Sequence, residues 1–288
     1  MTLSEALRST SRTLSTAKID DVSIESELLL RQVLGMSKTQ LYTELERPLT
    51  SAETKRLWRL VQRRLGHEPT AYISRRCEFY GTDFYIDHRV FIPRPETEIL
   101  VEKAIEFANH MPVHQLTIAE VGTGSGAIAI SLALALPKTK IYATDISASA
   151  LQVAEINCRR HKVDSQVELL QGNLLEPLPQ PVDLIVANLP YIKNCELKDL
   201  SPEIMNFEPM IALAGGEDGL DKIQQMLEQI PGKLNSGGRL LLEIGQEQGK
   251  TVSSLINSYF PQADIELIPD LSSIDRVASV VLQKGVRI

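Results

Sequence analysis

Glu120-Val121-Gly122-Thr123-Gly124-Ser125-Gly126 is the stretch that decides the fold. An apolar run, Leu116–Val121, leads into it and an Ala-rich run, Ala127–Leu136, leaves it, so a β-strand hands over to an α-helix through a glycine-rich turn. Glycines there let the backbone approach a ligand closely, and the first N–H groups of a helix lack intrahelical partners. Asp145 follows Gly126 by nineteen residues and closes the next strand, Lys140–Thr144, where a carboxylate can accept from both hydroxyls of a ribose. Two cofactor classes fit these features, because Gly122-x-Gly124-x-x-Ala127 also matches a dinucleotide fingerprint. The loop points to a nucleotide-like cofactor without choosing between them.

Outward from the loop, strand and helix signals alternate. Further strands are expected at Val167–Gln171, Val182–Ala187, Gly238–Ile244, Asp264–Ile268 and Arg276–Gln283. Helices are expected at Glu98–Ala108, Ala148–His161, Lys222–Leu234 and Gln246–Tyr259. Alternation of this kind gives an α/β domain, an open and mostly parallel doubly wound sheet with helices on both faces, here spanning 93–288. Residues 76–92 read as a β-hairpin linker turning at Gly81 to Asp83. Residues 1–75 carry helical periodicity throughout and read as a small helical bundle. Thr2-x-x-Glu5 and Thr50-x-x-Glu53 look like capping boxes, and Gly35 and Gly66 like helix stops after about Ser23–Leu34 and Thr50–Leu65.

Charge divides the same way. Residues 1–75 hold 12 Lys+Arg against 9 Asp+Glu, whereas the chain as a whole is −7. Hydrophobic content of 43% with 23% charged residues suits a folded globular protein rather than a disordered one. The longest uncharged apolar stretch, Gly126 to Pro137, is too short to span a membrane, and no export signal opens the chain. Cys77, Cys158 and Cys195 stand far apart, which argues for a reducing cytoplasm and against a thiol metal site. Histidines 67, 88, 110, 114 and 161 show no ligand spacing, so no metal is expected.

The fourth strand of the sheet ends Ala187-Asn188-Leu189-Pro190-Tyr191. Ligands in such sheets bind at the carboxyl ends of the strands, near the switch in strand order, which puts Asn188 beside the cofactor. A dehydrogenase has no evident use for that step, whereas an enzyme that methylates a planar amide or amino nitrogen does. The lone pair of such a nitrogen is delocalised, as in the peptide bond. Two carbonyl acceptors, the Asn188 side chain and the Leu189 backbone, can hold its N–H groups, aim it at a sulfonium methyl and stabilise the developing charge. Tyr191 can stack on the flat group.

At this point Asn188-Leu189-Pro190-Tyr191 resembles the Asn-Pro-Pro-Tyr motif of amino-methyltransferases, and Glu120–Gly126 resembles their S-adenosylmethionine loop. Phe91-Ile92-Pro93-Arg94-Pro95-Glu96-Thr97-Glu98, Glu208-Pro209 through Gly215-Gly216-Glu217-Asp218-Gly219-Leu220, and Gly237-Gly238-Arg239 through Glu243-Ile244-Gly245 resemble the peptide chain release factor N5-glutamine methyltransferases. The resemblance covers the whole chain and implies a class I S-adenosylmethionine-dependent methyltransferase fold, Rossmann-like, behind an N-terminal substrate-docking domain. It implies methyl transfer from S-adenosyl-L-methionine, leaving S-adenosyl-L-homocysteine, to the amide nitrogen of the glutamine in the Gly-Gly-Gln loop of class 1 release factors. By the same resemblance Glu120, Gly122, Thr123, Gly124, Ser125 and Gly126 line the methionine end of the cofactor, Asp145 the ribose, and Asn173 and Leu174 the adenine. Asn188 would touch cofactor and glutamine, with Leu189, Pro190 and Tyr191 completing the glutamine slot; Asn188 and Tyr191 are the catalytic candidates.

Three positions depart from the family pattern: Leu189 stands for the first Pro, Asn173 for the usual Asp, and Ser272-Ser273-Ile274 where a glycine is expected before Asp275-Arg276. Arg94, stiffened between two prolines, is a substrate-contact candidate with a structural ion pair as its alternative. Glu243 reads as structural, with a pocket role as the alternative. Lys55, Arg56, Arg59, Arg63 and Arg64 read as a solvated helix face, or as a dock for an acidic protein surface. A protein substrate, no direct nucleic acid partner, no membrane, and a cytoplasmic monomer complete the expectation. The competing readings are a glutamine methyltransferase of a ribosomal protein and a non-catalytic S-adenosylmethionine-binding protein.

Overall fold

Thr2 and Thr50 each accept the backbone N–H of a glutamate three residues on, and Glu5 and Glu53 reach back to the threonine N–H at 2.8 Å. These reciprocal caps satisfy donors that a helix start leaves orphaned, and they fix the helices Leu3–Ser15 and Ser51–Leu65. The computed structural model describes residues 1–17, 19–111 and 116–282. It divides into two units, 1–76 with 201–207 and 77–200 with 208–288.

In the smaller unit the helix Val22–Leu34 stops at Gly35, whose φ of +65° only glycine adopts cheaply and whose N–H donates to the Arg31 carbonyl. The helices enclose Leu3, Leu14, Leu29, Leu30, Leu41, Leu57 and Val61. Lys38–Thr43 and Thr70–Ser74 are helices that sequence periodicity does not disclose, because they are only six and five residues long. Another short helix, Pro202–Phe207, belongs with this unit: buried Arg64 pairs with Glu25 at 3.1 Å and with Glu203 at 2.6 Å. Arg63 is tied to Glu68, so of the basic run Lys55, Arg56 and Arg59 are the exposed members without an ion pair among the described residues.

The larger unit opens with a hairpin, β1 (Cys77–Phe79) and β2 (Thr82–Phe84). Its turn is Tyr80-Gly81, not Gly81 to Asp83, because Thr82 already pairs with Phe79 and Asp83 with Glu78. Both turn residues are left-handed, at φ +49° and +65°, which gives the two-residue turn whose twist matches paired strands. The main sheet comprises β3 (Thr117–Val121), β4 (Lys140–Asp145), β5 (Val167–Gln171), β6 (Val182–Ala187), β7 (Leu234–Glu243), β8 (Asp264–Pro269) and β9 (Asp275–Val281). Their spatial order is β5-β4-β3-β6-β7-β9-β8. The first five are parallel and β9 runs antiparallel between β7 and β8. Helices Glu98–His110, Ala127–Ala135, Ala148–His161, Asp221–Gln229 and Gly249–Tyr259 flank the sheet. The central strands β3 and β6 are buried nearly end to end, as continuous apolar runs require.

Three boundaries differ from the sequence reading by three residues or more. The helix expected to reach Leu234 ends at Gln229, because Pro231 and Gly232 (φ +77°) follow and break it. β7 begins at Leu234 rather than Gly238, because Leu234 pairs with Val182 before the register shifts. The last helix starts at Gly249 rather than Gln246, because the Gln248 side chain accepts the Gly245 N–H at 2.8 Å and closes a turn there. Gln283 and His114 lie outside the described residues.

The β8–β9 turn is organised by Asp270, which accepts from the N–H groups of Ser272 and Ile274 and from the Arg276 guanidinium. Ser273 sits there at φ +62°, which is the physical reason a glycine is expected in this stretch. Ser273→Gly therefore relieves local strain and raises stability by up to about 1 kcal/mol, read as a higher midpoint in thermal unfolding; a lower midpoint would contradict the strain.

Candidate active site

Strand order reverses between β3 and β6: the chain leaves β3 toward one edge of the sheet and returns through β6 to the other. Loops leaving the two strand ends diverge and open a crevice. A cavity of about 220 Å³ lies there, walled by Gly122, Thr123, Gly124, Ser125, Asp145, Asn173, Leu174, Asn188, Leu189, Pro190 and Tyr191 together with Phe91, Thr97, Ile146 and Ile211. Chain segments far apart in sequence thus meet in one wall.

On the β3 side, Gly122, Gly124 and Gly126 have φ of +76°, +54° and +81°. A Cβ at Gly126 would lie 3.0 Å from Ile130 and 3.3 Å from Ala154, whereas one at Gly124 meets nothing within 4 Å. Gly126 therefore seats the loop on its helix, and Gly124 leaves open space for a ligand. Glu120, 2% exposed, accepts the Thr123 hydroxyl at 2.5 Å and the Ala129 N–H at 3.0 Å, bracing the loop from beneath. Burial pushes its carboxyl up to about 8 against those two bonds. Asp145 accepts from the N–H groups of Gly124 and Ser147, each at 2.8 Å, and burial raises its pKa as well. Ile146, 53% exposed, and Leu174 add apolar surface to the cavity wall that Asp145 shares. Asn173 donates to Glu176 at 2.9 Å, which leaves its Oδ1 as an acceptor. Glycine backbone, an acidic acceptor and flanking apolar surfaces are the donor and contact set that an S-adenosyl group requires.

On the β6 side, Asn188 donates through Nδ2 to Thr97 Oγ1 at 3.1 Å, which leaves Oδ1 for a ligand. Leu189 is buried, and its side chain lies 3.5 Å from the place a Cβ on Gly122 would occupy. The residue that replaces proline therefore packs beneath the glycine loop. The Tyr191 phenol donates to buried Glu243 at 3.4 Å, and burial beside that carboxylate holds the phenol protonated well above its usual range. Gln248 fixes the other end of Tyr191 by donating to its carbonyl at 3.1 Å. Arg94 is absent from the cavity wall: its guanidinium pairs with buried Glu208, which also accepts the Ile92 N–H, and stacks on Phe91.

Thr97 and Gln248 are contributors that sequence reasoning missed. Thr97 lies within the Phe91–Glu98 segment already singled out, but only folding brings its hydroxyl to Asn188. Gln248 had no signal beyond its place after Gly245.

Comparison with known proteins fits this geometry. Residues 5–74 match the PrmC N-terminal domain family and residues 100–207 the methyltransferase small domain family. The release factor glutamine methyltransferase of Moorella thermoacetica is 39% identical over 277 residues, covering 96% of this chain and 97% of that one. That of Chlorobaculum tepidum is 37% identical over 287 residues, covering 97% of each. The chain belongs to the release factor glutamine methyltransferase family. Among solved structures, a ribosomal protein L11 methylase of Lactobacillus delbrueckii subsp. bulgaricus superposes with a TM-score of 0.50 at 22% identity, covering 69% of this chain and 84% of that one; it speaks to the fold alone, a class I methyltransferase sheet.

The family's glycine-rich segments have a physical task here. A Cβ on Gly215 would lie 2.8 Å from the Pro190 carbonyl and the Tyr191 Cα, and one on Gly245 3.1 Å from the Tyr191 ring. Gly219, at φ +79°, presses on the Tyr191 carbonyl well inside van der Waals contact for any side chain. These glycines let two backbone segments close around the Asn188–Tyr191 step. Gly219→Ala is expected to displace Tyr191 and lower methyl transfer by about 100-fold while the far-ultraviolet circular dichroism stays unchanged; transfer at the parental rate would disprove the close fit. Glu120 supplies a second expectation. The unfolded carboxyl ionises near 4.5 and the folded one near 8, so wild-type stability falls as pH rises between those values. Glu120→Gln removes that decline, and its unfolding midpoint should gain on the wild type from about pH 5 to about pH 8.5.

Proposed function

We propose that this protein transfers a methyl group from S-adenosyl-L-methionine to the side-chain amide nitrogen of the glutamine in the Gly-Gly-Gln loop of class 1 peptide chain release factors. It acts as a cytoplasmic monomer and needs no metal. The observation that carries this reading is the juxtaposition, in one cavity, of the Gly122–Ser125 loop with an Asn188 whose Nδ2 is anchored and whose Oδ1 is free. The family relationship supplies the substrate class.

Gly122, Thr123, Gly124 and Ser125 would hold the methionine portion of the cofactor, Asp145 the ribose, and Asn173, Leu174 and Ile146 the adenine, with Glu120 bracing the loop and Gly126, outside the cavity wall, seating it on its helix. When bound, S-adenosylmethionine supplies an electrophilic methyl on a sulfonium. The residues of this chain supply the nucleophile's geometry. Asn188 Oδ1 and the Leu189 carbonyl accept the two N–H groups of the glutamine amide, and Tyr191 stacks on its plane while Pro190 stiffens the step. Holding both N–H groups fixes the amide plane and so aims the face of the nitrogen at the methyl. The carbonyl dipoles then stabilise the charge that grows on nitrogen as the N–C bond forms and the bond from the methyl to sulfur breaks, and one of the two N–H protons leaves to solvent water. No covalent enzyme intermediate is needed.

Asn188→Ala should leave the fold intact and reduce turnover by on the order of 10² to 10³, the range for removing one well-placed polar group. The deciding assay is label transfer from S-adenosylmethionine to purified release factor, wild type beside a Gly-Gly-Gln to Gly-Gly-Ala variant. Label on the wild type alone supports the acceptor assigned here. Label on both points to another acceptor, and label on neither, with transfer to a ribosomal protein instead, would replace the substrate.

A further inference from the structure

Glu208 is buried, 5% exposed, and both its carboxylate oxygens serve the segment that leads into the Glu98–His110 helix. Oε1 takes the Arg94 guanidinium and Oε2 the Ile92 N–H at 3.2 Å. Arg94 in turn lies over the Phe91 ring, 4.8 Å from its centroid. The chain leaving Glu208 makes a single 3₁₀ turn, Met210–Ala212, and is sewn to Ile192 at its far end. There the Ile192 N–H donates to the Leu213 carbonyl at 3.1 Å and the Gly215 N–H to the Ile192 carbonyl at 2.8 Å. Pro209–Leu213 is thus an arch with both feet fixed.

One foot stands on the segment that also carries Thr97, the partner of Asn188, and the other stands one residue beyond Tyr191. The arch therefore spans the glutamine side of the cavity rather than the Asp145 side, and Pro209, Ile211, Ala212 and Leu213 form part of the wall. Its crest carries Met210 and Ile211, 45% and 58% exposed. Large apolar side chains held out at the mouth of a cavity are unfavourable in water until something covers them.

We propose that this arch is the receiving lip for the polypeptide that carries the acceptor glutamine, with Ile211 packing on the backbone beside that residue and the clasp of Glu208 on Arg94 and Ile92 setting where Ile211 stands. The inference rests on the function proposed above. The occupant is a segment of the protein substrate, because an amide that reaches Asn188 Oδ1 and the Leu189 carbonyl enters past the arch while its main chain stays at the mouth. The two glycines before that glutamine present bare backbone, which an apolar crest covers at close range and a branched side chain would hold off. The clasp matters because an arch tied only at Ile192 would swing. Removing the Arg94 guanidinium takes an opposite charge from a buried carboxylate, and the foot of the arch loosens as Glu208 seeks water.

The experiment compares Ile211→Leu, Ile211→Glu, Arg94→Met and the double variant Arg94→Met with Ile211→Glu against the wild type. It reads kcat and KM for intact release factor at saturating cofactor, cofactor Kd by calorimetry, and oligomeric state by sedimentation. Ile211→Glu should raise KM for release factor by about 10-fold or more, the worth of one buried apolar side chain, and Ile211→Leu by no more than about 2-fold. Cofactor Kd should stay at the wild-type value in both. Arg94→Met should raise the same KM, and the double variant should raise it by less than the product of the single effects, since both act at one contact. Unchanged KM in Ile211→Glu overturns the proposal. So does a cofactor Kd that rises in step with KM, which would place the crest on the cofactor, and so does a wild-type dimer that Ile211→Glu dissociates, which would give the crest to a second copy. Effects of Arg94→Met and Ile211→Glu that simply multiply overturn the clasp. Should Arg94→Met fail to fold, Glu208→Gln takes its place, and the exposed Ile211 decides the lip in either case. A wild type that methylates no release factor overturns the functional reading, and the lip with it.

Discussion

Everything at this site depends on the parallel pairing of Val121 with Ala187 at the ends of β3 and β6. The two strands are neighbours in the sheet although β4 and β5 intervene in the chain. Backbone hydrogen bonding at that one register brings Gly122 and Asn188 side by side, so that a Cβ on Gly122 would lie 3.6 Å from the Asn188 carbonyl. The successive segments then separate, the glycine loop toward the Ala127–Ala135 helix and the Asn188–Tyr191 step toward the Ile192–Ala214 bridge. A slip of one residue would turn Val121 and Ala187 out of the core and part the two halves of the cavity.

Two buried carboxylates sit at the ends of β3 and β7, the strands that flank β6, and both are held against their solvation preference. Glu120 braces the glycine loop through Thr123 and Ala129; Glu243 stands behind Tyr191. Burying an ionisable group without a cation at contact distance weakens a fold. Their presence at the ends of β3 and β7, beside the cavity rather than in the sheet centre, ties that loss to the rigidity of the site. The Asn157 side chain works the same way without a charge, bonding the Ser125 carbonyl at 2.9 Å and both backbone groups of Tyr85. Loop geometry here is fixed by fully used polar groups, which is how a flexible glycine sequence becomes a preformed surface.

Much of this was legible in the residues. The Glu120–Gly126 turn between an apolar and an Ala-rich run marked the strand-to-helix crossing, and Asp145 marked the next strand end, because local periodicity and turn chemistry act within a few residues. The capping boxes at Thr2 and Thr50 and the Gly35 stop were readable for the same reason. Helices of five or six residues, such as Thr70–Ser74, were not, since they complete too few turns to show a period. The Tyr80-Gly81 turn was misplaced by a residue because a tyrosine at φ +49° is tolerated only in a setting that the sequence does not display, with its N–H bonded to Glu98 at 2.8 Å.

The site divides along the same line. By itself the sequence pointed to the chemistry proposed above: a glycine loop suited to a nucleotide-like ligand, an Asn188 step suited to holding an amide, and an alternation of strands and helices that brings ligands to strand ends. Only the tertiary structure decided who serves those groups. Arg94 goes to Glu208 and Phe91 and stays out of the cavity wall, while Thr97, Gln248 and Glu243 converge on Asn188 and Tyr191 from three separate segments. The reason is range: a backbone turn is set by its neighbours in the chain, whereas the partner of a buried hydroxyl, amide or carboxylate is set by whichever strands the sheet places beside it.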